Sequence, residues 1–335
     1  MRMSEVAERA GVSAATVSRV LADSPTVHPE YRKRVLRTVE LLGYRPNRLA
    51  SNLRRLRTEM IGIVVSDVEN PHFTQMVRKV EDAAYRRGWR VLLCNADEDG
   101  DKQRSYLEVL AAERVSGVIL STTNPAGLEI AELSDSGVPL VAFDRTVGDA
   151  RADAVVSDNV AGARLATEHL LGAGHERIGF VGGPTDTETG ANRLRGYEDA
   201  MREAGAEPRW ADGRYRIDGG EHAAEELLRD DPPTALVVAN NLMTIGVLRA
   251  LRRGRLRVPQ DVALVAVDDP FWAELMDPPL TTLAQPVRRM AESAVEFLFE
   301  RISGRRNEAR KVVFDFELRV RGSCGTVGAN HGEDV

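Results

Sequence analysis

Met3-Ser4-Glu5-Val6-Ala7-Glu8-Arg9-Ala10-Gly11-Val12-Ser13-Ala14-Ala15-Thr16-Val17-Ser18-Arg19-Val20-Leu21 reads as two short helices joined through a glycine turn. That is the smallest unit able to present a helix to the DNA major groove. Val6 and Ala10 lie four apart and face one way. Gly11-Val12-Ser13 breaks the pattern, and Ser13 is placed to cap a helix beginning at Ala14. Val17, Val20 and Leu21 give that second helix an apolar face. The opposite face carries Ala14, Ala15, Thr16, Ser18 and Arg19, small or hydrogen-bonding residues plus one guanidinium, slim enough to enter a groove. A third helix is expected from Pro29, suited to a first helical position, to about Leu42. Gly43 would stop it, and Val35, Val39 and Leu42 would close a three-helix head.

Charge agrees. Residues 1–57 carry twelve Arg and Lys against five Asp and Glu, whereas the whole chain of 335 residues has a net charge of −6. A basic head on an acidic body is the footprint of a polyanion-binding module joined to something with another task. The segment Arg48–Leu56 that follows the head is polar, basic and too short to be a stable helix alone. By itself it reads as a linker of helical propensity.

The length calls for more than one domain, and no uncharged apolar run is long enough to cross a membrane. With no apolar leader at the N-terminus, a cytoplasmic location is expected. Cys94, in the apolar run Val91-Leu92-Leu93-Cys94, is expected to be buried, and Cys324 lies near a polar tail. Neither belongs to a metal or disulfide pattern.

From Met60 apolar runs alternate with helical stretches. Ile61–Val65, Val91–Cys94, Val118–Leu120 and Leu140–Phe143 read as buried parallel strands, with helices near 72–87, 101–113 and 126–136 between them. After Ala154–Ser157 come helix 160–173, strand Ile178–Val181, helices 189–204 and 220–229, strand Leu236–Ala239, helix 242–252 and strand Val262–Val267. Helix 287–303 and final strands within 311–320 complete the chain. So many βα units predict two parallel sheets flanked by helices. An enzyme is not indicated. Gly182-Gly183-Pro184 lacks the lysine of a phosphate loop, His169 and His175 lack metal-ligand spacing, and no nucleophile elbow occurs. Asp268-Asp269 sits instead at the carboxyl end of a strand, where open α/β sheets bind ligands.

The chain resembles the lactose/galactose repressor (LacI/GalR) family. The resemblance rests on Val6-Ala7…Ala10-Gly11-Val12-Ser13…Thr16-Val17-Ser18-Arg19-Val20, Leu42-Gly43-Tyr44-Arg45-Pro46-Asn47 and Ile61-Gly62-Ile63-Val64. It continues through Asn70-Pro71-His72-Phe73, His169-Leu170…Gly174-His175…Ile178-Gly179-Phe180, Arg193…Gly196-Tyr197, Asp268-Asp269 and Pro279-Leu280-Thr281-Thr282. It implies an α/β protein with an N-terminal helix-turn-helix head (1–46), a hinge helix (47–58) and an effector-binding and dimerisation core (59–325). The core would be two Rossmann-like lobes of the periplasmic sugar-binding type. Lobe 1 is expected at about 59–157 and 286–312, lobe 2 at about 158–285 and 313–324, and a disordered tail at 325–335.

By the same resemblance Ala14, Ala15 and Arg19 would meet base edges, and Ser13, Thr16, Ser18 and Asn47 the phosphates. Leu53, one turn after Ala50, would wedge into the minor groove. The effector site would combine Ser66, Asn70, Phe73 and Asp144 with Arg193, Tyr215, Asn240 and Asp268, and with Gln285 at a crossing between lobes. Hydroxyls that donate and accept call for such carboxylates, amides and a guanidinium beside an aromatic face, so a sugar is the expected effector. Phe271 and Trp272 are candidates for a pocket wall or for core.

The chain departs from the family pattern at Arg2, Ala22, His28, Tyr31, Asn241 and Ala266. The expectation is a homodimeric, ligand-responsive repressor on a palindromic DNA operator, with no cofactor, metal or membrane partner. The rival readings are a global regulator controlled by a phosphocarrier protein and a sugar-processing enzyme with a DNA head.

Overall fold

The computed structural model describes residues 3–21, 26–44 and 58–325. Asn47, Ala50 and Leu53 of the expected hinge, with Arg2, Ala22 and residues 326–335, lie outside the described residues. The chain divides into two compact units, Met1–Thr58 and Glu59–Val335.

The first unit holds helices α1 (Met3–Ala10), α2 (Ala14–Leu21) and α3 (Pro29–Leu41). Val6, Ala7, Ala10, Val17, Val20 and Val35 form its core, and Val27 and Tyr44 join them. The atypical His28 does cap α3, through a long 3.4 Å bond from Glu30 N to its Nδ1. Gly43 turns the chain out of the helix with φ +57°.

The second unit is two lobes, each a six-stranded sheet of matching order. Lobe 1 contains β1 (Met60–Val65), β2 (Arg90–Asn95), β3 (Val118–Leu120), β4 (Leu140–Phe143) and β5 (Asp153–Ser157), and the returning β11 (Lys311–Phe314). Its order is β11-β5-β4-β3-β1-β2. Lobe 2 contains β6 (Ile178–Gly182), β7 (Arg209–Asp212), β8 (Ala235–Val238), β9 (Ala263–Val267), β10 (Thr281–Ala284) and β12 (Glu317–Arg319), in the order β12-β10-β9-β8-β6-β7. In lobe 1 the helices are α4 (Pro71–Tyr85), α5 (Gly100–Ala112), α6 (Leu128–Asp135) and α11 (Val287–Ile302). In lobe 2 they are α7 (Asn159–Gly172), α8 (Glu188–Glu203), α9 (Ile217–Arg229) and α10 (Asn241–Arg253).

Strand alternation explains the layering of lobe 1. Ile61, Ile63 and Val65 point into the core shared with α4 and α11, while Val64 points to the layer with Leu107, Leu110 and Ile130. Gly62 shares that second face, and a Cβ there would meet Leu110 Cδ1 at 2.6 Å. In lobe 2 the Gly196-Tyr197 pair has a comparable cause. Tyr197 stacks on Phe180, with ring centroids 5.0 Å apart, and donates to Ile178 O at 2.7 Å. Its hydroxyl accepts from Arg209 N at 2.8 Å, pinning β6 to β7, and burial pushes its pKa up to about 12.

Four expectations need correction. Val91–Cys94 is not a buried strand: β2 is the sheet edge, Leu93 is 46% exposed and Cys94 only half-buried. Strands β7 and β10 were not anticipated, the first because Arg-Trp-Ala-Asp is a short polar edge. The second, Thr-Thr-Leu-Ala, is entirely buried, its threonines satisfied by Ser323, Cys324, Arg321 and Asp269. Lobe 1 keeps the chain to Phe314, beyond the expected 312, because Lys311–Phe314 pair with Ala154–Ser157. Finally β12 runs antiparallel to β10, so the second sheet is mixed.

A Cβ on Gly196 would stand 2.1 Å from Val160 O of α7, whereas one on Gly172 meets nothing within 4 Å. Gly196→Ala should therefore destabilise the second unit by about 1–3 kcal/mol. Gly172→Ala, at the end of α7, should stabilise it by about 0.4–1 kcal/mol. Thermal denaturation should shift the two variants in opposite directions.

Candidate DNA-reading head and ligand cleft

In the head, Gly11 has φ +60°, and Val12 N closes on Ala7 O at 3.0 Å to end α1. Ser13 Oγ accepts from Thr16 N at 3.1 Å, the expected cap of α2, and meets Thr16 Oγ1 at 2.9 Å. The turn is also held from α3, a feature the sequence reading missed. Arg34 donates from Nε to Ala10 O at 3.0 Å and from Nη2 to Gly11 O at 2.9 Å, and Nη2 reaches Ala10 O as well. Ser13, Ala14, Ala15 and Arg19 are exposed, Thr16 and Ser18 half-buried, while Val17 and Val20 face inward. The turn therefore offers α2 with its small residues outward.

Between the lobes lies a narrow cleft. Eight of the nine expected effector residues line it: Asn70, Phe73 and Asp144 from lobe 1, Arg193, Tyr215, Asn240 and Asp268 from lobe 2, and Gln285 at the crossing. Ser66 does not. It is fully buried, its Oγ without a hydrogen-bond partner, and the next residue, Asp67, reaches the cleft instead. His72, Glu98, Arg145 and Thr189 also line it and were missed. Phe271 walls nothing, being 80% exposed, and Trp272 packs against the core of lobe 2.

The two aspartates occupy equivalent places. Asp144 follows β4 and Asp268 follows β9, both in left-handed backbone, with φ +68° and +75°. Each N–H still bonds to the neighbouring strand, to Val155 O and Leu283 O, both at 2.9 Å. The turn comes after the ladder ends, and each carboxylate projects beyond its sheet. Such conformations cost energy and persist where the surroundings enforce them. His72 stands between the two carboxylates, with Nε2 3.6 Å from Asp144 and Nδ1 3.9 Å from Asp268.

The remaining lining residues are held by defined bonds. Asn70 Oδ1 caps α4 at His72 N (2.9 Å) and accepts from Asn241 Nδ2 of lobe 2 at 3.0 Å. Asn241 also donates to Asp268 Oδ2 at 3.2 Å, so an amide suits a place where an aspartate would confront two acceptors. Asn240 caps α10 through Met243 N at 2.8 Å. Arg193 is buried rather than solvated, donating to Asn159 Oδ1 at 2.7 Å and Ala239 O at 2.6 Å. Gln285 takes a bond from Ser157 at 2.7 Å and gives one to Asp268 at 2.8 Å. Tyr215 bonds Thr189 through its hydroxyl at 2.9 Å, and its ring fills space that a Cβ on Gly183 would need.

Arg145 and Glu98 form a two-pronged pair, both contacts 2.7 Å. Burial works against the guanidinium charge, but the Glu98 bonds and charge outweigh it and raise its pKa. Across the cleft Arg216 reaches Asp67 at 3.0 Å and Asp97 at 2.8 Å, and Glu188 accepts from Thr146 Oγ1 at 2.7 Å. Burial raises the Asp67 pKa against the pull of Glu69 N–H and Arg216, while Arg216 and Lys102 lower that of Asp97. These bonds hold the lobes closed on each other. Among the described residues no His, Cys, Asp and Glu group is placed to hold a metal, and no helix is long and apolar enough to cross a membrane.

Residues 2–47 match the family of bacterial regulatory proteins, lacI family, and residues 167–324 match the periplasmic binding protein-like domain. An HTH-type transcriptional repressor PurR from Aliivibrio salmonicida (strain LFI1238) is 34% identical over 94% of this chain and 96% of its own length. The solved complex of the transcriptional regulator CelR with cellobiose is 34% identical and superposes with a TM-score of 0.71, covering 96% of this chain and 99% of that one. The lac repressor dimer bound to operator and the anti-inducer ONPF is 26% identical, with a TM-score of 0.84 over 97% of this chain and 99% of that one.

Gly11→Ala forces a side chain into left-handed backbone, and its Cβ would fall 2.5 Å from Arg34 Nη2. The head should lose about 1–2 kcal/mol from the backbone alone, seen as reduced protection of head amides in hydrogen exchange. Protection within β1, β3, β8 and β9 should stay as in the parent.

Proposed function

Because the chain belongs to the lacI family of bacterial regulatory proteins, and so is a DNA-binding transcriptional repressor under small-molecule control, we propose that its controlling ligand is a sugar held between the lobes. One observation carries this reading. Asp144 and Asp268 end matching strands of two lobes and face the same histidine, with Phe73 and Tyr215 beside them. Carboxylates and amides at fixed positions suit the donor and acceptor hydroxyls of a polyol, and aromatic faces suit its C–H surface. The cellobiose of the CelR complex is a ligand of that kind.

The protein acts as a homodimer on a palindromic operator, since one small head supplies too few base contacts for useful specificity. Arg19 reads a guanine, Ala14 and Ala15 offer apolar contact, and Ser13, Thr16, Ser18 and Asn47 take phosphates. Leu53, with Ala50, wedges into the minor groove at a central pyrimidine–purine step, where unstacking is easy. Ligand biases lobe closure, and closure changes how the hinge segments order on DNA.

Two substitutions test the division of labour. Arg19→Ala should weaken operator binding by about 1–3 kcal/mol and relax preference at one base per half-site. Equal losses on operator and random DNA would contradict the base-reading role. Asp268→Ala should weaken sugar binding by about 1.5–3 kcal/mol while operator binding without sugar persists. Unchanged sugar affinity by calorimetry would refute the cleft site.

A further inference from the structure

The geometry points to a charge class for the ligand: we infer that the cleft takes an uncharged or cationic sugar and rejects phosphorylated and carboxylated ones. This rests on the sugar reading above and narrows it. A guanidinium captures phosphate or carboxylate with paired N–H groups, and here most of those groups are committed within the chain. Arg145 gives both terminal nitrogens to Glu98, and one also to Thr122 O at 3.2 Å. Arg193 spends Nε on Asn159 and Nη1 on Ala239 O, which leaves Nη2 as its one nitrogen with no partner among the described residues, and Arg216 is bound to Asp67 and Asp97.

Asp144 is the opposite case. It is buried and lines the cleft, yet its carboxylate accepts no hydrogen bond among the described residues. Its charged neighbours, His72 Nε2 at 3.6 Å and Arg145 Nε at 3.9 Å, stand beyond bonding distance. Both of those nitrogens are buried without hydrogen-bond partners. Gln285 Nε2, an amide donor, faces His72 Nδ1 at 3.4 Å.

The Asp144 carboxylate thus has the Arg145 N–H beside one oxygen and a His72 ring nitrogen beside the other, neither within bonding distance. A hydroxyl satisfies them together, donating to Asp144 and accepting from His72 or Arg145. An ammonium group also suits Asp144. A phosphate or ionised carboxylate brings only acceptors, and sets its charge against Asp144 and Asp268. Such juxtaposition in a desolvated site disfavours the anion by about a hundredfold.

The test is calorimetric titration of the full chain with matched sets. Glucose, galactose, ribose and cellobiose are compared with glucose 6-phosphate, galactose 6-phosphate, ribose 5-phosphate, gluconate, glucosamine and galactosamine. Binding is expected among the neutral and amino sugars, with each phosphate or acid derivative about a hundredfold weaker than its parent. A loss of tenfold or less overturns the charge class while leaving the sugar reading intact. Binding by no member of the panel overturns the sugar reading, and this inference with it. Asp144→Asn should cut the parent-to-phosphate ratio by about tenfold, because the amide supplies a donor in place of the negative charge. An unchanged ratio would remove Asp144 as its origin.

Discussion

The placement of Asp144 and Asp268 depends on how two strands end. Each completes its hydrogen-bond ladder and then enters left-handed backbone at the aspartate, which delivers a carboxylate beyond the sheet. Aspartate tolerates that region better than most residues because its short polar side chain can bond locally. The same device recurs at the edge strands. Asp97-Glu98 after β2 and Arg214-Tyr215 after β7 are consecutive left-handed pairs. Glu98 and Tyr215 meet the same guanidinium, Arg145, one through a bidentate bond and the other beneath it at 5.6 Å. Two lobes of matching strand order thus supply matching corners, and the cleft is made where those corners face.

Closure then follows from bonds that cross between lobes rather than from a shared apolar core. The lobe cores are separate clusters, and what joins them across the cleft is Asn70 with Asn241, Arg216 with Asp67 and Asp97, and Thr146 with Glu188. Half-exposed ion pairs such as Arg216–Asp97 contribute little each. A ligand can therefore shift the open–closed balance with modest differential affinity, which suits a regulator.

Much of this was legible in the sequence. Apolar runs alternating with helical stretches gave the two-lobe plan, because strands buried on both faces leave continuous apolar runs. Asp144, Asn240 and Asp268 could be placed because each follows such a run. What could not be read depends on tertiary contacts. Strand β10 hides as Thr-Thr because its hydroxyls find partners in Cys324, Arg321 and Asp269, which arrive from elsewhere in the chain. Arg145 and Glu98 are 47 positions apart, and nothing local pairs them. Ser66 and Asp67 differ by one step along an alternating backbone, and that step decides which side chain reaches the cleft. His72 sat within a recognised motif, but its place between two aspartates exists only once both lobes are folded.

Whether lobe closure sets operator affinity can be tested without knowing the ligand. Thr146→Cys and Glu188→Cys, introduced together with Cys94→Ser and joined by a short bis-maleimide, would fix the contact that Glu188 makes with Thr146 across the cleft. Operator affinity of the linked protein should differ from that of the unlinked double variant by about 5–150-fold, the usual size of an allosteric coupling. It should also no longer respond to sugar. Equal operator affinity before and after linking would contradict the account.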